Sequence, residues 1–366
     1  MGADGLAECS DREVKMRSGR VPGAGCARFS AGQAYPSTTN LIAGDATWMP
    51  ALYDTPPDEP VVDPDTGEII ERRCDPDAVP FHRSGSTCGR YLVSALARNP
   101  HPHERVILDI DFTPVTGRSD ATVFTDMTLD LFDDAPAAQG IVYDMALHAT
   151  DIDRILDTGR LPVSKVQRTR NATAAMTNLG EHDVRLADGT RRNEIITALD
   201  GTPCVTVTDS TGTPHLVPLT RRQTKTRRKI RGAAVYGRWA LPDHPAVPRP
   251  LRHGEVLIRQ SSTTSERDHR TRRTRALRPI PESDPDFDRL YGLREDTESM
   301  HHHLKERLWN GRARCVGLRR QRINLHAYQL RTSMTAVLAW HHRTGADITE
   351  WFGHWQPPGR TGPAAA

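Results

Sequence analysis

The chain has 366 residues and a formal net charge of +3, with 37% hydrophobic and 26% charged residues. That balance excludes a wholly disordered or uniformly polybasic chain and describes a soluble globular protein of one large or two ordinary domains, so any nucleic-acid role must rest on local clusters. No run of about 18 apolar residues and no apolar leader core occurs, and the six cysteines are scattered without a C-x2-C pair, so the expectation is a cytoplasmic protein with reduced thiols and no membrane partner.

Residues 1–38 are rich in Gly, Ser, Ala and Arg without a sustained period, which reads as a weakly ordered N-terminal arm or a truncated DNA-binding region. From Thr39 onwards a first α/β segment, 39–168, is expected. The apolar run Leu41-Ile42-Ala43-Gly44 leads into Asp45, a strand delivering a carboxylate at its end. Residues 52–88, with D-P-D-T-G and D-P-D-A, read as a long loop. Within it Cys74, His82 and Cys88 match no common zinc-finger spacing and lack a fourth ligand. Residues 90–96 and 105–112 form a hairpin across N-P-H-P-H-E, and Asp109 and Asp111 share one face of its second strand. Ser119 or Asp120 caps a helix running to about Asp133, with Val123, Met127 and Leu131 on its inner side. Ile141-Val142-Tyr143-Asp144 is another apolar strand ending in an acid.

Residues 169–284 change texture: short β-rich runs alternate with turns such as A-D-G and S-T-G, which predicts an inserted, mostly antiparallel β domain. It carries two basic runs, 221–231 and the arginines Arg267, Arg270, Arg272, Arg273, Arg275 and Arg278, expected to lie in loops and to touch phosphate backbone rather than bases. A helical part, 285–345, follows, then a flexible tail, 346–366. On the helix over 321–342, Ile323, Ala327, Leu330, Met334, Val337 and Leu338 form an expected core stripe.

The preceding helix holds the most informative spacing. Tyr291, Arg294, Glu298 and Lys305 stand at steps of three, four and seven residues and share one helical face. Such a face is also what solvated ion pairs produce. If the two acid-ending strands are adjacent and parallel, Asp45 and Asp144 converge and the helix can bring Glu298 to the same edge; Asp109 and Asp111 are rivals for the first place. Three hard oxygen donors of this kind suit Mg²⁺ or Mn²⁺ and in-line displacement at a phosphodiester. His301, His302 and His303 beside them are expected near DNA or solvent.

The spacing Y-x2-R-x3-E-x6-K resembles the signature of DDE transposases of bacterial insertion sequences, the group whose catalytic domain carries a β-rich insertion. Asp45-Ala46-Thr47 looks like that family's first-strand D-x-T. Asp75-Pro76-Asp77-Ala78 before Gly89-Arg90-Tyr91 is similar to its D-P-D-A and G-Y-K elements, and Val142-Tyr143-Asp144 matches the second acid; the likeness spans about residues 39–345. The resemblance implies a ribonuclease-H-like α/β catalytic domain interrupted by the insertion. It implies Asp45, Asp144 and Glu298 as catalytic metal ligands, Tyr291, Arg294 and Lys305 as contacts to transposon-end DNA, and Mg²⁺ or Mn²⁺ as cofactor. The expected partners are double-stranded DNA, as transposon ends and target, and a second copy of the chain, near the bacterial nucleoid. A truncated, non-catalytic DNA-binding protein and a stand-alone metal-dependent nuclease are the alternatives.

Overall fold

The computed structural model describes residues 41–53, 61–70, 74–81, 87–98, 101, 104–114, 118–136, 138–168, 174–208, 212–228 and 232–345. The N-terminal arm 1–38, the tail 346–366, His82 and the last part of the first basic run, 229–231, lie outside them.

The first half builds a mixed sheet from β1 (Leu41–Pro50), β4 (Val79–Phe81), β5 (Thr87–Arg98), β6 (Arg105–Phe112), β7 (Gly140–Val142) and β8 (Leu161–Val163); β2 (Val61–Val62) and β3 (Ile69–Ile70) form a separate two-stranded ribbon. β5 is antiparallel to β1 on one side and to β4 and β6 on the other, while β1, β7 and β8 run parallel. Parallel neighbours require crossovers, supplied by α1 (Asp120–Asp134) before β7 and α2 (Ala149–Asp157) before β8. α1 begins where Ser119 accepts the Thr122 amide, and buries Val123, Phe124, Met127 and Leu131 against Ile42, Val93 and Ile141. Gly44 is the contact that lets α1 lie so close, since a Cβ there would stand 2.0 Å from the Phe124 ring.

Three expectations change here. β1 does not end at Asp45 but runs on through Thr47 and Met49, because β5 offers it a long partner from Leu96 to Gly89. The stretch 52–88 is not loop alone: β4 adds to β5, and Asp75, fully buried, accepts from Gln321 Nε2 at 2.6 Å and from Arg90 at 3.5 Å. Asp77 accepts the Leu318 amide at 2.8 Å, so the D-P-D-A segment anchors the last helix. Sequence reading also assigned no element to α2 and β8.

The second sheet comprises β9 (Met176–Arg185), β10 (Arg191–Leu199), β11 (Thr202–Thr208), β12 (Pro214–Pro218), β13 (Thr220–Arg228), β14 (Ala233–Ala240) and β15 (Glu255–Arg259), all antiparallel, in the order β12-β11-β10-β9-β15-β14-β13. Its two edge strands, β12 and β13, are separated in sequence by Leu219 alone. They must therefore approach each other, and the sheet curls around a core that includes Val184, Ile196, Val205, Leu219, Trp239 and Ile258. Residues 221–228 of the first basic run are not a loop but part of this edge strand, β13, a common place for charge because it blocks further pairing.

Short helices α3 (Thr264–Asp268) and α4 (Phe287–Tyr291) precede α5 (Glu295–His303) and the long α6 (Leu318–Thr344). α6 faces the sheet with a side that shares only Val337 with the expected core stripe. Gln321, Leu325, Gln329, Ser333, Ala336, Val337 and Trp340 are buried, whereas Ile323, Leu330, Met334 and Leu338 are exposed. The reason is the β-bulge between β5 and β6: Gln329 donates to the Ile107 and Leu108 carbonyls at 3.1 and 3.0 Å, and Ser333 accepts the Ile107 amide at 3.2 Å. Backbone groups that lack a strand partner are met by polar side chains, which outweighs burying the apolar stripe. No helix among the described residues is long and apolar enough to cross a membrane.

Candidate functional site

The β1–β7 ladder ends at Ala43 and Val142, and Asp45 and Asp144 each stand two residues further on. In a parallel pair, equal steps from a paired couple keep the same face, so both carboxylates leave the sheet on the side where Ala43 and Val142 pack against Phe287, Leu290 and Leu293. Asp45, Thr47 and Met49 continue that face along β1. α4 and α5 lie across it, so strand alternation and helical spacing bring the two motifs into register.

Tyr291 to Lys305 is a continuous right-handed run but not one regular helix. α4 passes through a 3₁₀ turn (Gly292–Arg294) into α5 and then a π-turn (Leu304–Leu308). The contacts follow in order along β1. Arg294 donates to Asp45 at 3.2 Å and lies 2.7 Å from Glu298, and Lys305 donates to Thr47 at 2.6 Å. Beyond them Met49 joins Met300, Leu304 and Trp309 in a core. Tyr291 stacks on Phe287 at 5.1 Å with Lys165 5.4 Å from its ring, and Arg294 stands 5.8 Å from the same ring.

The electrostatics report the same convergence. Burial pushes Asp45 up to about 6, opposed chiefly by Arg294 and reinforced by the negative charges of Asp144 and Glu298. Asp144 is also raised by burial and by Asp120, while the Ala146 amide, 2.8 Å from its carboxylate, and Arg294 hold it down. Burial lowers Lys305, and Asp45 partly restores it. Arg294 is raised, because Asp45, Tyr291 and Glu298 outweigh its own desolvation.

No protein-family model matches the chain, and no curated protein matches it. The geometry therefore stands by itself.

The structure brings Asp45, Asp144, Glu298, Tyr291, Arg294 and Lys305 to one face. It separates Asp109 and Asp111 from them: both lie on β6, on the far side of β5 from β1, and Asp111 pairs with Arg322 at 2.9 Å. His301 is neither near solvent nor free; it is buried and shares a 2.9 Å hydrogen bond with Ser94. His302 is exposed and pairs with Glu306. Asp120, read from the sequence only as a helix cap, was missed as a site neighbour. Tyr143 donates to Asp120 at 3.0 Å, and the only sequence signal was an acid in the first turn of the helix before β7.

Among the described residues, no group of three or more His, Cys, Asp or Glu side chains is disposed to hold a metal ion as it stands. The donor chemistry still fits a hard divalent cation: two half-buried, upward-shifted carboxylates stand on and just beyond adjacent parallel strands, and a third acid stands on the other side of the guanidinium that pairs with the first. Cys74 and Cys88 take part in no disulfide among the described residues, and Cys88 is fully buried; His82 lies outside the described residues.

Proposed function

We propose that this chain is a DDE-type transposase, cleaving DNA at transposon ends and joining it to a target, with Asp45, Asp144 and Glu298 as ligands of Mg²⁺ or Mn²⁺. The observation that carries the reading is Arg294 bridging Asp45 of β1 and Glu298 of α5, while Asp144 stands beside Asp45 at the matching step of the parallel neighbour. The sheet supports it too. A strand, β5, antiparallel to β1, β4 and β6, joined to the parallel set β1, β7 and β8, with crossover helices and a β-sheet insertion before the final acid, is the arrangement expected of a ribonuclease-H-like domain with an insertion.

In this reading the cation, when bound, would acidify the attacking water or sugar hydroxyl and neutralise charge on the leaving oxygen. The chain's own groups do the rest. Partial burial of Asp45 and Asp144 strengthens their attraction for positive charge. Tyr291, Arg294 and Lys305 form a phenol, guanidinium and ammonium stripe that seats a phosphodiester against the acids. A homodimer would hold one DNA end per copy.

The test is strand transfer. Purified chain, a duplex taken from the DNA that flanks its gene, and Mg²⁺ should yield joined products. Glu298→Ala, Asp144→Asn and Asp45→Asn should each abolish joining without loss of duplex binding. Cleavage without joining would instead point to a metal-dependent nuclease. Binding without either reaction would leave a non-catalytic DNA-binding protein, the reading favoured by an Arg294–Glu298 pair that stays closed.

A further inference from the structure

A groove of about 1460 Å³ opens three residues beyond Asp144, between the Leu147–Thr150 turn at the start of α2, the entry to β9, and the segment 266–278. Among the described residues six arginines line it, against one acid, Glu266, which is itself gripped by Arg273 at 2.7 Å. The second basic run was expected to contact phosphate from a loop, but most of its arginines pair within the protein. Arg267 pairs with Asp157 at 2.8 Å and Arg272 with Asp153 at 2.8 Å, while Arg278 is buried and donates to the Thr274, Leu277 and Lys165 carbonyls. Arg168, on the opposite wall, pairs with Asp200 at 2.9 Å.

Arg270 and Arg275 differ. Both are exposed, line the groove, and have no ion-pair partner among the described residues. Arg270 follows α3 with φ +57°, a left-handed conformation usually left to Gly or Asn. The turn holding it is over-determined: Thr263 and Glu266 form a reciprocal capping box, and the Thr271 amide donates to the Glu266 carbonyl at 2.8 Å. A rigid turn thus holds a strained arginine at the groove.

The lining discriminates among anions. The volume exceeds the roughly 300 to 1,000 Å³ usual for small-molecule sites. No Phe, Tyr or Trp is among the described lining residues, which therefore offer the bases of a single strand no stacking platform. Guanidiniums with Thr, Asn and Gln beside them suit phosphodiester oxygens. We propose that this groove is a second DNA site, binding the phosphate backbone of duplex DNA without regard to sequence through Arg270 and Arg275. The proposal rests on the reading that the chain acts on DNA, and it adds a path for the duplex past the Asp144 turn.

The test uses the full chain, a fluorescent duplex of arbitrary sequence, no divalent cation, and salt from 50 to 200 mM. Arg270→Ala/Arg275→Ala should weaken binding equally on unrelated sequences and flatten the log affinity against log salt slope by about 1.8, two phosphate contacts at about 0.9 each. Unfolding midpoints should not move, because both arginines are exposed. An unchanged slope in the double variant, or tighter binding of single strands than of duplex, overturns the groove. The two readings fail separately: strand transfer with an unchanged slope sinks only the groove, whereas groove-dependent binding without any strand transfer sinks only the transposase.

Discussion

Replacing Gln329 by Leu and, separately, Leu330 by Lys sets two readings of α6 against each other at adjacent positions. Gln329 is 1% exposed and donates to two main-chain carbonyls, Ile107 and Leu108. Leucine has nearly the same bulk but donates nothing. Each lost bond costs about 1 kcal/mol net, and more where the carbonyl is left dry, so Gln329→Leu should cost about 2 to 3 kcal/mol. Leu330 is 42% exposed; Lys has a similar helix propensity, and surface exchanges of this kind usually stay within about 0.5 kcal/mol. The hydrophobic pattern alone ranks them the other way, with Leu330 as core and Gln329 as surface. Equilibrium denaturation in urea, followed by far-ultraviolet circular dichroism, measures both. If Leu330→Lys proves the more damaging, the inward face of α6 has been assigned wrongly, and with it the account of the bulge at Leu108.

Two more expectations concern the acid side of stability and the packing behind the site. Burial, with Lys305 adding to it, pushes His301 down to about 3, so the folded chain keeps it neutral while the unfolded chain takes up a proton below about pH 6.5. Its contribution is therefore lost as pH falls: near pH 5 wild type should have lost about 2 kcal/mol relative to pH 7 that His301→Gln, which can still meet Ser94, does not lose. Parallel stability curves for the two proteins from pH 7 to 5 would refute a neutral buried imidazole. Gly44→Ala places a methyl within 2.0 to 2.5 Å of three Phe124 ring atoms and should cost about 1 to 3 kcal/mol, with partial recovery on adding Phe124→Leu. Because Phe124 stacks on Tyr143 at 4.5 Å, the same change should lower strand transfer; a fully stable Gly44→Ala protein would refute the close approach.

What was legible in the sequence was the local part. The β5–β6 hairpin, α1 with its Ser119 cap and the acid after β7 were all marked by apolar runs and turn residues that act within a few positions. β1 was cut short because Asp45 interrupts its apolar run, and only β5, more than forty residues later, shows that the strand continues. The inward face of α6 and the locked arginines share a different cause. Their partners are backbone groups at a bulge and carboxylates over a hundred residues away, such as Asp157 for Arg267, and no periodicity encodes them. Asp75 shows the same limit: D-P-D-A was noticed as a motif, but its buried bond to Gln321 joins residues 246 positions apart.

The site also differs in how firmly each acid is held, which bears on how three carboxylates could come to share one cation. Arg294 serves two of them unequally. Its bond to Asp45 is set in the sheet, where Asp45 is 13% exposed and its burial already drives the carboxyl upward against the guanidinium. Its bond to Glu298 is an i,i+4 pair on a helix surface with Glu298 52% exposed, a class of contact worth only about 0.3 to 0.5 kcal/mol. Opening the second costs little, whereas withdrawing the first strips a nearly buried charge of its counterion. On the proposed reading, then, Asp45 and Asp144 are the fixed ligands and Glu298 is the one that swings. The 3₁₀ turn before it and the π-turn after it set the face it swings from, so that Arg294 and Lys305 keep their hold on β1 while Glu298 moves.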